Sequence, residues 1–133
     1  MTPDDLAALH DRCFATHPRP WSAAEFEALL AGPPNFLLIR PQGFLLGRVI
    51  ADEAELLTLA VAPEARRQGL ASALLAEFAA TSRARGAREA FLEVASDNAA
   101  AMALYARADW EIIGKRRNYY APGVDAVLMR RTL

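Results

Sequence analysis

The stretch from Leu57 to Arg85 does most to limit the folds open to this chain. Leu57-Thr58-Leu59-Ala60-Val61-Ala62-Pro63 is an apolar run with strand character, and it passes through Glu64-Ala65-Arg66-Arg67-Gln68-Gly69 into a segment of different period. From there, Leu70, Leu74 and Phe78 with Ala71 and Leu75 stripe one face of a helix running to about Arg85, where Gly86 can cap it. A second apolar run, Ala90 to Val94, interrupted only by Glu93, follows that helix. Strand-helix-strand passages favour parallel crossovers, so a mixed sheet with helices on its faces is expected, an α/β sandwich.

The flanking segments fill in the layers. Thr2-Pro3-Asp4-Asp5 offers an N-cap hydroxyl, a proline at the first helical position and acids in the first turn, ahead of Leu6, Leu9 and Cys13 at helical spacing. Pro18 to Pro20 breaks that helix, and Ser22 with Glu25 forms a capping-box signature for a second one carrying Phe26, Leu29 and Leu30, stopped at Gly32-Pro33-Pro34. Phe36 to Arg40, Phe44 to Ala51 and Glu55 to Val61 read as an antiparallel meander, turning at Pro41-Gln42-Gly43 and Asp52-Glu53. Beyond Val94, Asp97 can N-cap a helix whose Ala101, Leu104, Tyr105 and Ala108 share a face. Trp110 to Lys115 and Ala126 to Arg130 read as two last strands joined by a loop around Pro122-Gly123.

With 133 residues the chain is expected to form one domain spanning 1–133. Hydrophobic residues at 53% against 23% charged place it among folded globular proteins. A net charge of -1 argues against a broad nucleic-acid footprint. The lone Cys13, the absence of a leader-like start and apolar runs far shorter than the roughly 20 residues needed to span a bilayer point to a cytoplasmic protein with no membrane partner.

The turn before the long helix carries the first chemistry. A helix N-terminus leaves backbone N–H groups unpaired, with the positive end of the helix dipole behind them, which suits phosphate. Gly69 permits a close approach that a side chain would block, and Arg66 and Arg67 add charge. Taken alone, the same segment also reads as a polar turn before an amphipathic helix. Arg66-x-x-Gly69-x-Ala71 after Leu59-Ala60-Val61 resembles the pyrophosphate-binding motif of the GNAT superfamily of acyl-CoA N-acyltransferases. Further matches resemble its RimI type, the ribosomal-protein alanine N-acetyltransferases: Leu92-Glu93-Val94, Ser96-Asp97-Asn98, Ala103-Leu104-Tyr105, Arg116-Arg117-Asn118-Tyr119-Tyr120, Asp125-Ala126 and Met129. Two positions depart from the pattern: Ala95 stands where an Arg often follows, and Asp109-Trp110 where Gly-Phe is usual.

The resemblance implies a mixed, mostly antiparallel sheet with a parallel central pair, flanked by helices. It implies acetyl-CoA as co-substrate, held at its pyrophosphate by the backbone of Arg67, Gln68, Gly69, Leu70, Ala71 and Ser72 with Arg66 beside them. Leu59, Ala60 and Val61 would pair with the pantetheine arm, and Asn98 matches a cofactor-contacting position. Glu93 is the implied general base, with burial in an apolar strand expected to raise its pKa, and Tyr105 the implied acid that protonates the departing thiolate. Ordinary uses compete with both roles, since a strand glutamate commonly faces solvent and a helix tyrosine commonly packs in a core.

The implied acceptor is a protein N-terminal α-amine, as on an alanine-led ribosomal protein. Alternatives are a lysine side chain, a polyamine or another small amine, or an acyl-CoA-binding module without catalysis. Asp52, Glu53 and Glu55 would steer a basic peptide if their turn borders the groove. His10 and His17 lack ligand-spaced partners, so no metal is expected, and Cys13 falls on an apolar helix stripe where packing outweighs nucleophilicity. Lys115-Arg116-Arg117 reads as a solvated strand end, while Tyr119 and Tyr120 fit either a core or an acceptor groove.

Overall fold

The computed structural model describes residues 1–14 and 18–133. Helices α1 (Pro3–Cys13) and α2 (Ala23–Ala31) come first, then strands β1 (Asn35–Arg40), β2 (Gly43–Ile50) and β3 (Glu53–Val61). A short 3₁₀ turn, Pro63–Ala65, leads to α3 (Leu70–Ala84), followed by β4 (Glu89–Ala95), α4 (Ala99–Arg107), β5 (Glu111–Ala121) and β6 (Val124–Thr132). Both predicted capping boxes form, Thr2 with Asp5 and Ser22 with Glu25, each satisfying backbone donors that the helix start leaves over.

The six strands lie in the order β1-β2-β3-β4-β6-β5. Every neighbouring pair is antiparallel except β3 and β4, which run parallel through the α3 crossover. Phe44 of β2 meets Phe26 of α2, while Gly47 on the opposite face lies under Phe36 of β1 and Phe78 of α3. Helices therefore cover both faces at β2, and Gly43 to Gly47 are buried without alternation. Gly47 has a packing reason: a Cβ there would come within 2.7 Å of the Phe36 ring and 2.9 Å of the Phe78 ring.

Two local expectations are corrected. Asn98, not Asp97, caps α4: the Asn98 N–H donates to the Ala95 carbonyl, closing a turn that brings the Asn98 Oδ1 to 3.1 Å from the Ala101 N–H it accepts. The final strands are longer than their apolar cores, because edge strand β5 runs on through polar residues to Ala121 and returns through a two-residue turn at Pro122 and Gly123, the latter at φ +80°. Asp109 sits at φ +72°, a left-handed conformation that Asp tolerates better than most residues. Trp110 then packs against Phe78 and Tyr105 with ring centroids about 6 Å apart.

Candidate active site

A bulge in β3 opens the sheet. Leu46 pairs with Thr58 and Gly47 with Leu56, leaving Leu57 as the extra residue, and bulges bend the strand that carries them. Consistent with that bend, β3 pairs with β4 only over Glu53 to Glu55 and then parts from it. The gap is a groove of about 830 Å³ lined by β3 from Leu56 to Val61, the start of α3, the end of β4 and one face of α4.

The turn entering α3 forms one end of this groove. Helices α1, α2 and α4 each have a side-chain N-cap, whereas α3 has none. Among the described residues, no backbone carbonyl or side chain accepts from the N–H groups of Arg67 to Ser72. Gly69 lies at φ +76° with nothing within 4 Å of where a Cβ would be, so the space over those N–H groups is open and a side chain would fill it. Arg67, at φ +62°, also takes a left-handed conformation. The Arg66 Nε donates to the Val61 carbonyl at 3.3 Å, fixing the base of that side chain beside the turn. An anion with several acceptor oxygens fits this donor set, and pyrophosphate is such an anion.

Glu93 and Tyr105 line the same groove. The expected burial of Glu93 is corrected: its side chain is 33% exposed and pairs with the Arg116 guanidinium at 3.3 Å, because alternation along β4 turns it away from the core that Leu92 and Val94 enter. Tyr105 is buried on the inner face of α4, and burial raises the pKa of its hydroxyl, which therefore stays protonated as a donor must. Of the residues assigned to the cofactor, Leu59, Val61, Arg66, Arg67, Gly69, Leu70, Ala71, Ser72 and Asn98 line the groove. Ala60 and Gln68 do not: Ala60 is buried opposite Phe44, and the Gln68 side chain turns back to the Glu64 carbonyl.

Residues 4–110 match the acetyltransferase (GNAT) family. The chain belongs to the GNAT family. It is 37% identical to the [ribosomal protein bS18]-alanine N-acetyltransferase of Escherichia coli K12, across 94% of this chain and 89% of that protein. It is 38% identical to the N-alpha-acetyltransferase RimI of Mycobacterium tuberculosis, across 84% and 75%. The crystal structure of the ribosomal-protein-S18-alanine N-acetyltransferase from Escherichia coli superposes with a TM-score of 0.81 at 33% identity, covering 95% of this chain and 84% of that one. The protein is thus a GNAT N-acetyltransferase of RimI type, and its mixed sheet with one parallel pair is the expected GNAT architecture.

Other features of this GNAT domain bear on the groove. Asp52, Glu53 and Glu55 do not line it: they precede Leu56, where the groove begins on β3, and Glu55 pairs with Arg48. Cys13 packs at the groove wall with its thiol donating to the Val61 carbonyl at 3.3 Å. Its neighbour His10 is buried, with Nε2 3.0 Å from the Thr58 hydroxyl, while His17 lies outside the described residues. No group of three or more metal-ligating side chains occurs among the described residues, and no helix there is long and apolar enough to cross a membrane. Sequence reasoning missed the bulge at Leu57, the Arg116–Glu93 pair and the His10–Thr58 bond, all of which join segments remote in the chain.

Proposed function

We propose that this N-acetyltransferase takes acetyl-CoA as donor and acetylates a protein N-terminal α-amine, with the N-terminal alanine of a small-subunit ribosomal protein as the acceptor. One observation carries the reading: a turn of unpaired N–H groups and the pair Glu93 and Tyr105 open onto a single groove. Acetyl-CoA supplies an acetyl thioester. The backbone of Arg67 to Ser72 binds its pyrophosphate, with Arg66 and Arg67 adding charge. Past Glu55 β3 has parted from β4, so the backbone of Leu59 to Val61 takes the pantetheine arm as an added strand, and an N–H there polarises the thioester oxygen. Asn98 borders the same passage.

In this mechanism Glu93, directly or through water, accepts the proton of the acceptor ammonium. The freed amine forms the new N–C bond as the C–S bond breaks; the Tyr105 hydroxyl gives its proton to the departing thiolate, and the second proton that the nitrogen sheds on becoming an amide returns to Tyr105, directly or through water. The α-amine suits a modest carboxylate base. Its pKa of about 7.7 to 8.0 leaves roughly a tenth neutral near pH 7, against less than a thousandth for a lysine at about 10.4. The identities of 37% and 38% to enzymes named for N-terminal acetylation support the same choice, and a ribosomal acceptor puts the reaction in the cytoplasm. Alanine or serine at the first position is expected to exceed bulky residues, because the amine must approach within about 3 to 3.5 Å of the thioester carbon.

The test is mass spectrometry of an alanine-led peptide with an internal lysine after incubation with acetyl-CoA, alongside polyamine and free-lysine controls. Acetyl on the α-amine is the expected product. Acetyl on the internal lysine, or an unchanged rate after the α-amine is blocked, replaces this reading with a lysine or small-amine acetyltransferase.

A further inference from the structure

Strand β5 carries an irregularity that the reaction chemistry alone does not explain. Arg116 is paired with Ala126 and Ala121 with Val124, so residues 117–120 leave the ladder against Asp125 alone. This excursion is tied down at both ends. The Asp125 carboxylate accepts the Asn118 N–H at 2.9 Å, and the Asn118 side-chain oxygen accepts the Gly123 N–H at 2.8 Å. Asn118 sits at φ +53°, a left-handed conformation that asparagine tolerates and β-branched residues resist. Asp125 is itself joined to the strand that carries Glu93, since its N–H donates to the Ser96 hydroxyl at 2.8 Å and its carbonyl accepts the Ser96 N–H at 2.9 Å.

The excursion stands at the side of the groove where the proposed base lies. Arg116, its first flanking residue, pairs with Glu93 and lies over the Tyr119 ring at 5.5 Å. Tyr119 is 56% exposed and meets Tyr120 edge-on, with ring centroids 5.2 Å apart. An exposed aromatic held against the arginine that pairs with Glu93, on a segment whose backbone has left its sheet partner, is a surface disposed to receive an extended peptide.

We propose that Asp125 and Asn118 are positioning residues for the acceptor: they hold residues 117–120 in the excursion and register Tyr119 and Tyr120 against Glu93. The inference rests on the acetyl-transfer reading above and deepens it, assigning acceptor recognition to a latch between β6 and β5. Neither residue touches the reacting atoms, and the donor end of the groove lies on α3 and β3, so the latch acts on acceptor binding and leaves donor binding alone.

The experiment compares steady-state kinetics of wild type, Asp125→Ala, Asp125→Asn and Asn118→Gly on an alanine-led peptide, with the CoA-induced Tm shift of each. Losing a charge-assisted bond on this latch is expected to raise the peptide KM about 10-fold in Asp125→Ala, with kcat within about 3-fold and the CoA shift intact. Asp125→Asn keeps an acceptor oxygen and is expected to recover most of that loss. Asn118→Gly keeps the backbone conformation without the side-chain bond, and its raised KM tests the latch even where Asp125→Ala does not fold. An unchanged peptide KM in both deletions, or an equal loss of donor and acceptor binding, overturns the inference. A wild type that transfers acetyl to no α-amine instead defeats the underlying reading, and that outcome is visible before any variant is made.

Discussion

Acidification is expected to weaken the packing of α1 on the groove strand through one residue, His10. Its ring is wholly buried among Phe14, Trp21 and Phe26. The Trp21 backbone N–H donates to Nδ1 at 3.0 Å, so the neutral ring carries its hydrogen on Nε2, which donates to the Thr58 hydroxyl of β3 at 3.0 Å. Burial pushes the imidazole pKa from 6.5 down to about 4, although Glu25 and Asp11 pull it upward. The folded value lies below the unfolded one, so this stability is present above pH 6.5 and is lost as pH falls toward 4. In that window the unfolded chain binds a proton that the folded chain refuses, at about 1.4 kcal/mol per pH unit. Between pH 7 and pH 5 the loss amounts to about 2 kcal/mol, a large share of a typical domain's 5 to 15 kcal/mol. Urea unfolding of wild type and His10→Gln at both pH values measures it. Remaining groups titrate alike in the two proteins, so the difference in pH slope isolates His10. Equal slopes, or an imidazole that titrates near 6.5 by NMR in the folded protein, would refute the reasoning.

Two further outcomes test the groove itself. Gly69→Val is expected to fold with about 1 to 2 kcal/mol less stability, since a β-branched residue resists φ +76°, and to lose most of the Tm increase that CoA produces in wild type. An undiminished CoA shift in the folded variant removes the pyrophosphate from this turn. Glu93→Gln and Tyr105→Phe are each expected to retain the CoA shift while kcat falls about 10²- to 10⁴-fold, the usual cost of a positioned base or acid. Stopped assays across the pH range would show near-native turnover if either residue were merely structural.

What the sequence determined by itself is local or periodic. Capping at Thr2 and Ser22, the stripe from Leu70 to Phe78 and the turn at Gly69 depend on neighbours within a few residues, where hydrogen-bonding rules and the helical repeat act directly. The strand-helix-strand passage then fixed the parallel pair at the centre of the sheet, and the motif residues from Arg66 to Tyr105 pointed to the donor groove. Tertiary structure decided everything that depends on which strand lies beside which. The bulge at Leu57 exists only against β2, and it turns a continuous apolar run into an open edge. Burial of Glu93 failed as an expectation because apolar neighbours along a strand say nothing about its own face, and because Arg116 arrives from two strands away, across β6. His10 became a buried neutral base through Thr58 and Trp21, residues that no local pattern joins to it. Likewise Asp52, Glu53 and Glu55 were close to one another in sequence but stand outside the groove lining, because β3 is still paired with β4 over Glu53 to Glu55 and the groove opens only from Leu56.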